Sequence, residues 1–237
     1  MDKIVSIHQP NYLPWIGYFH KILYSDILVF LDTVQYTPKT YTNRCFILQN
    51  GSPVRLSIPV NLDKWEIPIK EVKINTDIFA KKHLKTLEFS YKKAKYYDQI
   101  MSIIYPHYQL GKTNLADFNM NIIKDFILFL KIEINFINLS ELNLHTKKNQ
   151  LLIDITKSCK GNIFVSGTGA KGYIKGHEHL YKNESIDLAF QNFNHPSYSQ
   201  LSKPFIEGMS IIDLLFNHGP QTLKILQDIK KPDFIFA

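Results

Sequence analysis

His8, Gln9, Tyr12, Trp15, Gly17 and Tyr18 fall within eleven positions of one another, in a turn rich in Pro and aromatic residues. A histidine there can serve as general base, or donate to a ligand oxyanion or phosphate. Its structural alternative is a buried imidazole satisfied by a backbone carbonyl. Tyr12, Trp15 and Tyr18 can wall a pocket by stacking on a base or sugar ring, or they can be core aromatics. Gly17 at a helix start permits the close backbone approach that phosphate requires. Asp32, directly after the apolar run Ile27 to Leu31, can hold a metal, a ribose or an amine, act as a base, or cap a turn.

Arginine occurs only at Arg44 and Arg55 among 28 basic residues, so Arg44 beside Asn43 suggests a need for the planar fork that binds carboxylate or phosphate. Ser166 leads into Gly167-Thr168-Gly169-Ala170-Lys171-Gly172, the densest glycine cluster. Its backbone amides can cradle phosphate, with Lys171 adding charge, or form a plain tight turn. The spacing is neither that of a P-loop nor of a dinucleotide fingerprint. Ser210, Asp213 and Asn217 share one face of a helix, at the pocket or as its caps. His177 and His179 stand one residue apart and do not share a helix face, so no metal site is expected.

The elements that must position these groups read as α/β. Lys3 to Ile7 is an unbroken apolar strand, Trp15 to Tyr24 a helix opened by Pro14, and Ile27 to Leu31 a second apolar strand. Such a unit implies a parallel sheet covered on both faces, with ligands met at the carboxyl ends of its strands. His8 and Asp32 then share one edge. Gln35 to Asn43 is a loop over that edge, and Arg44 to Leu48 pairs with Val54 to Val60 through Asn50-Gly51. Ile67 to Ile74 alternates like a strand, and Asp77 is expected to cap a helix through Tyr91. Helices at Tyr97 to Tyr108 and Leu115 to Leu130 complete a helical insertion, residues 77–130. Strands follow at Ile132 to Asn138, Asn162 to Ser166 and Ile186 to Phe190, with helices at Gln150 to Lys157 and Ser210 to Phe216. The expected fold is a Rossmann-like, mostly parallel sheet in one compact domain, residues 1–237.

Composition bounds the function. With 45% apolar residues the chain can bury a sizeable core, and a net charge of +7 favours anionic partners. Part of that charge is a Lys-rich composition bias, and no nucleic-acid motif accompanies it. A nucleotide-sized anion is the economical partner. Cys45 and Cys159 form no disulfide framework and neither carries a nucleophile signature. No segment reads as a signal peptide or membrane span, so a cytoplasmic location is expected.

These motifs resemble the WbqC-like proteins of bacterial surface-polysaccharide (O-antigen) gene clusters. The likeness rests on H-Q-P-x-Y-L-P-W-x-G-Y-F at His8 to Phe19, D-x-V-Q-Y at Asp32 to Tyr36, and N-R at Asn43-Arg44. It continues in S-G-x-x-A-K-x-Y at Ser166 to Tyr173, F-x-x-P-x-Y-x-Q at Phe193 to Gln200, and S-I-I-D-L-L-F-N-x-G at Ser210 to Gly219. It adds Gln35, Tyr173, Tyr198 and Gln200 to the candidate ligand contacts. Cys45 departs from it, standing where Asn is expected.

The resemblance implies work on nucleotide-activated sugars or their lipid-linked products, by a transferase that acylates or aminoacylates a sugar amine. His8 would be the base, with a pKa near neutrality, and Asp32 would hold the amine. A weaker fold-level likeness is to HIGH-type nucleotidyltransferases and pantoate-ligase-like enzymes, with Ser166-Gly167-Thr168 and Lys171 similar to their phosphate loop. Tyr18 stands where those enzymes have a second histidine. Nucleotidyl transfer from ATP with Mg²⁺ is therefore one alternative, and a non-catalytic nucleotide- or glycan-binding protein another. No cofactor is specified, and a homodimer is left open.

Overall fold

A computed structural model describes residues 2–60, 62 and 66–231. The chain opens with β1 (Ile4–His8), α1 (Ile16–Leu23) and β2 (Ile27–Phe30), followed by a hairpin of β3 (Arg44–Gln49) and β4 (Ser52–Ser57). Next come β5 (Lys73–Asn75), α2 (Thr76–Tyr91), α3 (Tyr97–Ile104), β6 (Lys112–Asn114) and α4 (Leu115–Phe129). Then β7 (Asn135–Asn138), α5 (Lys148–Ser158), β8 (Ile163–Ser166), α6 (Lys171–Ile174), α7 (Glu178–Asn183) and β9 (Asp187–Phe190) alternate. The described chain closes with α8 (Ile211–His218) and α9 (Thr222–Asp228).

The central sheet has five strands in the order β7-β2-β1-β8-β9, every pair parallel. This is the Rossmann-like arrangement that the short apolar strands predict. Val5, Ile7, Ile27, Val29 and Phe164 pack one face against α5 and α7, while Leu28 and Phe30 face a larger core shared with α1, α4 and α8. Burying both faces is what makes these strands continuous apolar runs. The β3–β4 hairpin turns at Asn50 and Gly51, both at positive φ, as Asn-Gly demands.

Two local expectations change. Residues 67–74 do not join the central sheet: Pro68 makes an isolated bridge to Gln35, a 3₁₀ turn, Ile69–Glu71, follows it, and Lys73–Asn75 then pairs with Lys112–Asn114. Pro68 withholds an amide near the start of the alternating run. Helix α2 is capped by Asn75, whose side chain accepts from the Asp77 amide at 3.1 Å, so Asp77 sits inside the first turn. Helix α8 has its expected Ser210 cap.

Candidate functional site

From β1 the chain crosses to β2 on one side, and it later enters β8 on the other. The connections leaving the carboxyl ends of β1 and β8 therefore diverge and open a crevice, the place where such sheets bind ligands. His8 ends β1 and Ser166 ends β8, so two of the sequence-predicted segments meet at this switch point.

His8 is half-buried. Its ring packs edge-on against Tyr18, with centroids 4.5 Å apart. The Gln9 carbonyl, 3.0 Å from His8 Nδ1, also accepts from the Tyr18 hydroxyl at 3.3 Å. A carbonyl only accepts, so the neutral imidazole carries its proton on Nδ1 and keeps the Nε2 lone pair for a ligand. Burial pushes the His8 pKa down to about 3, and the charge of Lys21 pushes the same way against the Gln9 contact. The expected near-neutral base is thus a ring held neutral well below physiological pH. Lys21 was not anticipated from the sequence. It is 3% exposed, and burial brings its amine down to about 7. Among the described residues no carboxylate lies within ion-pairing distance of it.

The opposite wall is the glycine turn. A Cβ built on Gly167, Gly169 or Gly172 would meet nothing within 4 Å, so this backbone borders open space. The side chains of Lys171 and Tyr173 lie outside the described residues. Ser166 is buried, and its carbonyl accepts from the Gln191 amide at 2.8 Å. Gln191 Nε2 then donates to the Gly17 carbonyl at 2.8 Å and to His20 Nδ1 at 2.9 Å. One glutamine therefore bridges the end of β8 to the first turn of α1. Sequence reading missed Gln191, although a polar amide closing the apolar run Leu188 to Phe190 marks another strand end on the same edge.

A model of the WbqC-like protein family matches residues 9–225. The chain belongs to this family. It is similar to "Uncharacterized protein Rv1507c" of Mycobacterium tuberculosis (strain ATCC 25618 / H37Rv), 30% identical over 222 residues, covering 92% of this chain and 95% of that relative. No solved structure matches it.

In this WbqC-like chain the remaining candidates divide. Gln9 stays at the edge, its Oε1 accepting from Thr42 at 3.1 Å, so the loop before β3 does lie over β1. Asp32 is buried at the same edge, where its Oδ1 accepts from the Ser140 amide at 2.9 Å. Gln35 is exposed and forms a bridge to Pro68. Asn43 Nδ2 donates to the Ile58 carbonyl at 3.0 Å, while Asn43 Oδ1 and Arg44 Nε are buried without a partner. The Arg44 guanidinium lies close enough to Tyr36 to oppose the burial that holds its hydroxyl up at about 12.

Tyr12 does not wall the crevice. It is wholly buried, with its hydroxyl bonded to Tyr108 and, at 2.9 Å, to His83 Nδ1. Gly17 does not face a phosphate either: a Cβ there would lie 2.3 to 2.7 Å from the Trp15 ring, which occupies that space and packs on Phe193. Tyr198, Gln200 and Asp213 converge on one another instead. Asp213 is fully buried; Oδ1 accepts from Tyr91 at 2.9 Å, and Oδ2 from Tyr198 at 2.8 Å and Gln200 at 2.9 Å. Asn217 donates back to the Asp213 carbonyl at 2.7 Å. These four side chains bond to protein, not to an opening.

Cys45 and Cys159 are free and buried, and burial pushes both thiols up, leaving neither a ready thiolate. Among the described residues no three His, Cys, Asp or Glu side chains converge as metal ligands, and no helix is long and apolar enough to cross a membrane.

Proposed function

We propose that this protein is a transferase of bacterial surface-polysaccharide biosynthesis that acylates or aminoacylates the amine of a nucleotide-linked amino sugar, bound at the switch point between β1 and β8. The observation that carries the reading is the pinned neutral His8, with Nε2 free at the mouth of a glycine-lined crevice. The amine nitrogen attacks the carbonyl carbon of an activated acyl donor. The new C–N bond forms, the bond to the leaving group breaks, and the amine proton passes to His8 Nε2 and on to the leaving group. Asp32, anchored by Ser140, orients the amine. The glycine turn and Lys171 take the nucleotide phosphates, Arg44 a donor carboxylate, and Trp15 a ring face.

A thermal-shift panel of nucleotide amino sugars, ATP with Mg²⁺ and acyl-CoA compounds tests this first. Ligand at a hundredfold its dissociation constant stabilises by about 2.7 kcal/mol, several degrees for a chain of this size. A nucleotide amino sugar should shift the midpoint and then be acylated, with His8→Ala slowing turnover by roughly 10²-fold, the low end for a general base because burial holds the pKa of this imidazole well below the operating pH. A shift with ATP and Mg²⁺ alone would replace the reading with nucleotidyl transfer. Binding without turnover, indifferent to His8→Ala, would leave a nucleotide- or glycan-binding protein.

A further inference from the structure

We propose that Lys21, together with the backbone of the glycine turn at residues 167–172, forms a seat for a phosphoryl group of the ligand, and that this anion is the counter-charge of Lys21. The inference deepens the transferase reading and rests on its placement of the ligand at the switch point.

The argument begins with the cost of Lys21. An ammonium that is 3% exposed and has no carboxylate partner among the described residues is strongly unfavourable, since burying an unpaired charge costs several kcal/mol. A lysine kept for packing alone would be better replaced by an apolar residue, which fills the same space without the penalty. Helical side chains lean toward the helix N-terminus, and Lys21 lies one turn beyond Gly17 and Tyr18. Its stem therefore points to the edge where His8 sits, and its charge is felt by the imidazole.

Gln191 bonds to both the Ser166 backbone and the Gly17 carbonyl, so the two walls lie within one side chain of each other. A phosphoryl group fits both: its negative charge matches Lys21, and its oxygens suit amides of glycines whose Cα positions face open space. Once neutralised, Lys21 no longer opposes the charging of His8. Anion binding thereby makes His8 a better base at the moment the acceptor is in place.

The seat is also linked to protons. On its own the amine is half-charged near neutral pH, and a bound anion holds it charged. The other titratable groups on the elements packed with α1 are His8 from β1, Tyr18 and His20 on α1, Asp117, Lys124 and Asp125 on α4, Asp213 and His218 on α8, and the Lys224–Asp228 pair on α9.

Calorimetry with sodium pyrophosphate at pH 8, in buffers of different ionisation enthalpy, tests the seat. The wild-type protein should bind pyrophosphate and take up more protons per bound anion than Lys21→Met, the difference cancelling the anion's own ionisation. Lys21→Met should weaken binding on the order of tenfold to a hundredfold and lose the Lys21 share of the uptake. Unchanged affinity in Lys21→Met, uptake undiminished in that variant, or no pyrophosphate binding by the wild type at millimolar concentration would each overturn it. If Lys21→Met does not fold, Lys21→Gln takes its place, and affinity and proton uptake equal to the wild type's refute the seat. Its failure is separable from that of the transferase reading. Acylation lost in His8→Ala while Lys21→Met binds pyrophosphate normally removes only the seat. A proton-linked seat with no acylation of any amino sugar removes only the transferase.

Discussion

The Asp213 cluster and the His8 crevice hold similar groups: a buried ionisable side chain, tyrosine hydroxyls and a glutamine amide. They differ in how the hydrogen bonds close. At Asp213 the carboxylate receives three donors, the Tyr91 hydroxyl in turn accepts from the Leu48 amide at 3.0 Å, and Gln200 Oε1 accepts from the Ile206 amide at 2.8 Å. Each polar atom of that knot serves to hold the residues 191–210 segment and α8 onto β3 and α2. In the crevice the bonds hold the frame and leave the reactive positions open: the Gln9 side chain is bonded to the Thr42 hydroxyl, and Tyr18 and Gln191 to backbone carbonyls, whereas His8 Nε2 and the Lys21 amine make no hydrogen bond to the described residues. A saturated network spends its polar groups on rigidity, and an unsaturated one holds them for something that is not yet there. Mutations should therefore cost stability in the knot and function in the crevice.

The largest expected effect is Asp213→Ala. It leaves the Tyr91 and Tyr198 hydroxyls without their acceptor inside the protein, while Gln200 Nε2 keeps only the Ile206 carbonyl at 2.8 Å, a loss of roughly 3 to 5 kcal/mol by analogy with breaking a buried pair. Denaturant unfolding should show it as a lower midpoint. If Asp213→Ala instead unfolds like the wild type and loses only ligand binding, the knot belongs to the site and the contrast fails. Burial, more than any other influence, holds the Asp213 pKa up, against its three hydrogen bonds. A carboxyl with a raised folded pKa binds its proton more tightly when folded. Its contribution is therefore fully present below the unfolded carboxyl range and is lost as pH rises through the folded pKa.

Lys21→Met is next and has the opposite sign. With the folded amine near 7 and an unfolded lysine near 10.4, the unfolded chain binds more protons between those values. Wild-type stability should then rise with pH across that window and be lowest at and below neutrality. Removing the charge should stabilise the protein at pH 7 by roughly 1 to 4 kcal/mol, with the gain fading towards pH 10. Melting curves of both proteins at pH 7 and pH 10 check this; a variant that is less stable at pH 7 would mean Lys21 is satisfied in the fold. A stabilising change that removes ligand binding is the signature of a strained functional site.

Much of the frame is legible in the chain. Unbroken apolar runs place β1, β2 and β8, Asn50-Gly51 places the hairpin, and the position of His8 just past Ile7 puts it at the working edge. What escapes is whatever depends on pairing across distance. Tyr12 meets His83 and Tyr108 at separations of 71 and 96 residues, and Asp213 meets Tyr91 across 122. No local spacing announces such contacts, so core and cluster tyrosines read as a pocket wall. Lys21 escapes for another reason: a lysine in an amphipathic helix ordinarily snorkels to solvent, and only the packed structure shows that this one is 3% exposed with no carboxylate partner among the described residues.

The smallest expected effect sharpens the contrast best. Tyr18→Phe deletes one hydroxyl, whose bond to the Gln9 carbonyl is long at 3.3 Å, and keeps the ring against His8. The Gln9 carbonyl retains the His8 Nδ1 proton as donor, so the tautomer survives. Stability should fall by no more than about 1 kcal/mol, the net worth of an ordinary hydrogen bond. Turnover should fall several-fold, because the imidazole loses one of the two restraints on its anchoring carbonyl. The pH profile should keep its shape, since burial, not this hydroxyl, is the main cause of the lowered His8 pKa. A loss of stability as large as that of Asp213→Ala would show that the crevice, too, is held together by its polar groups, and the division between the two regions would collapse.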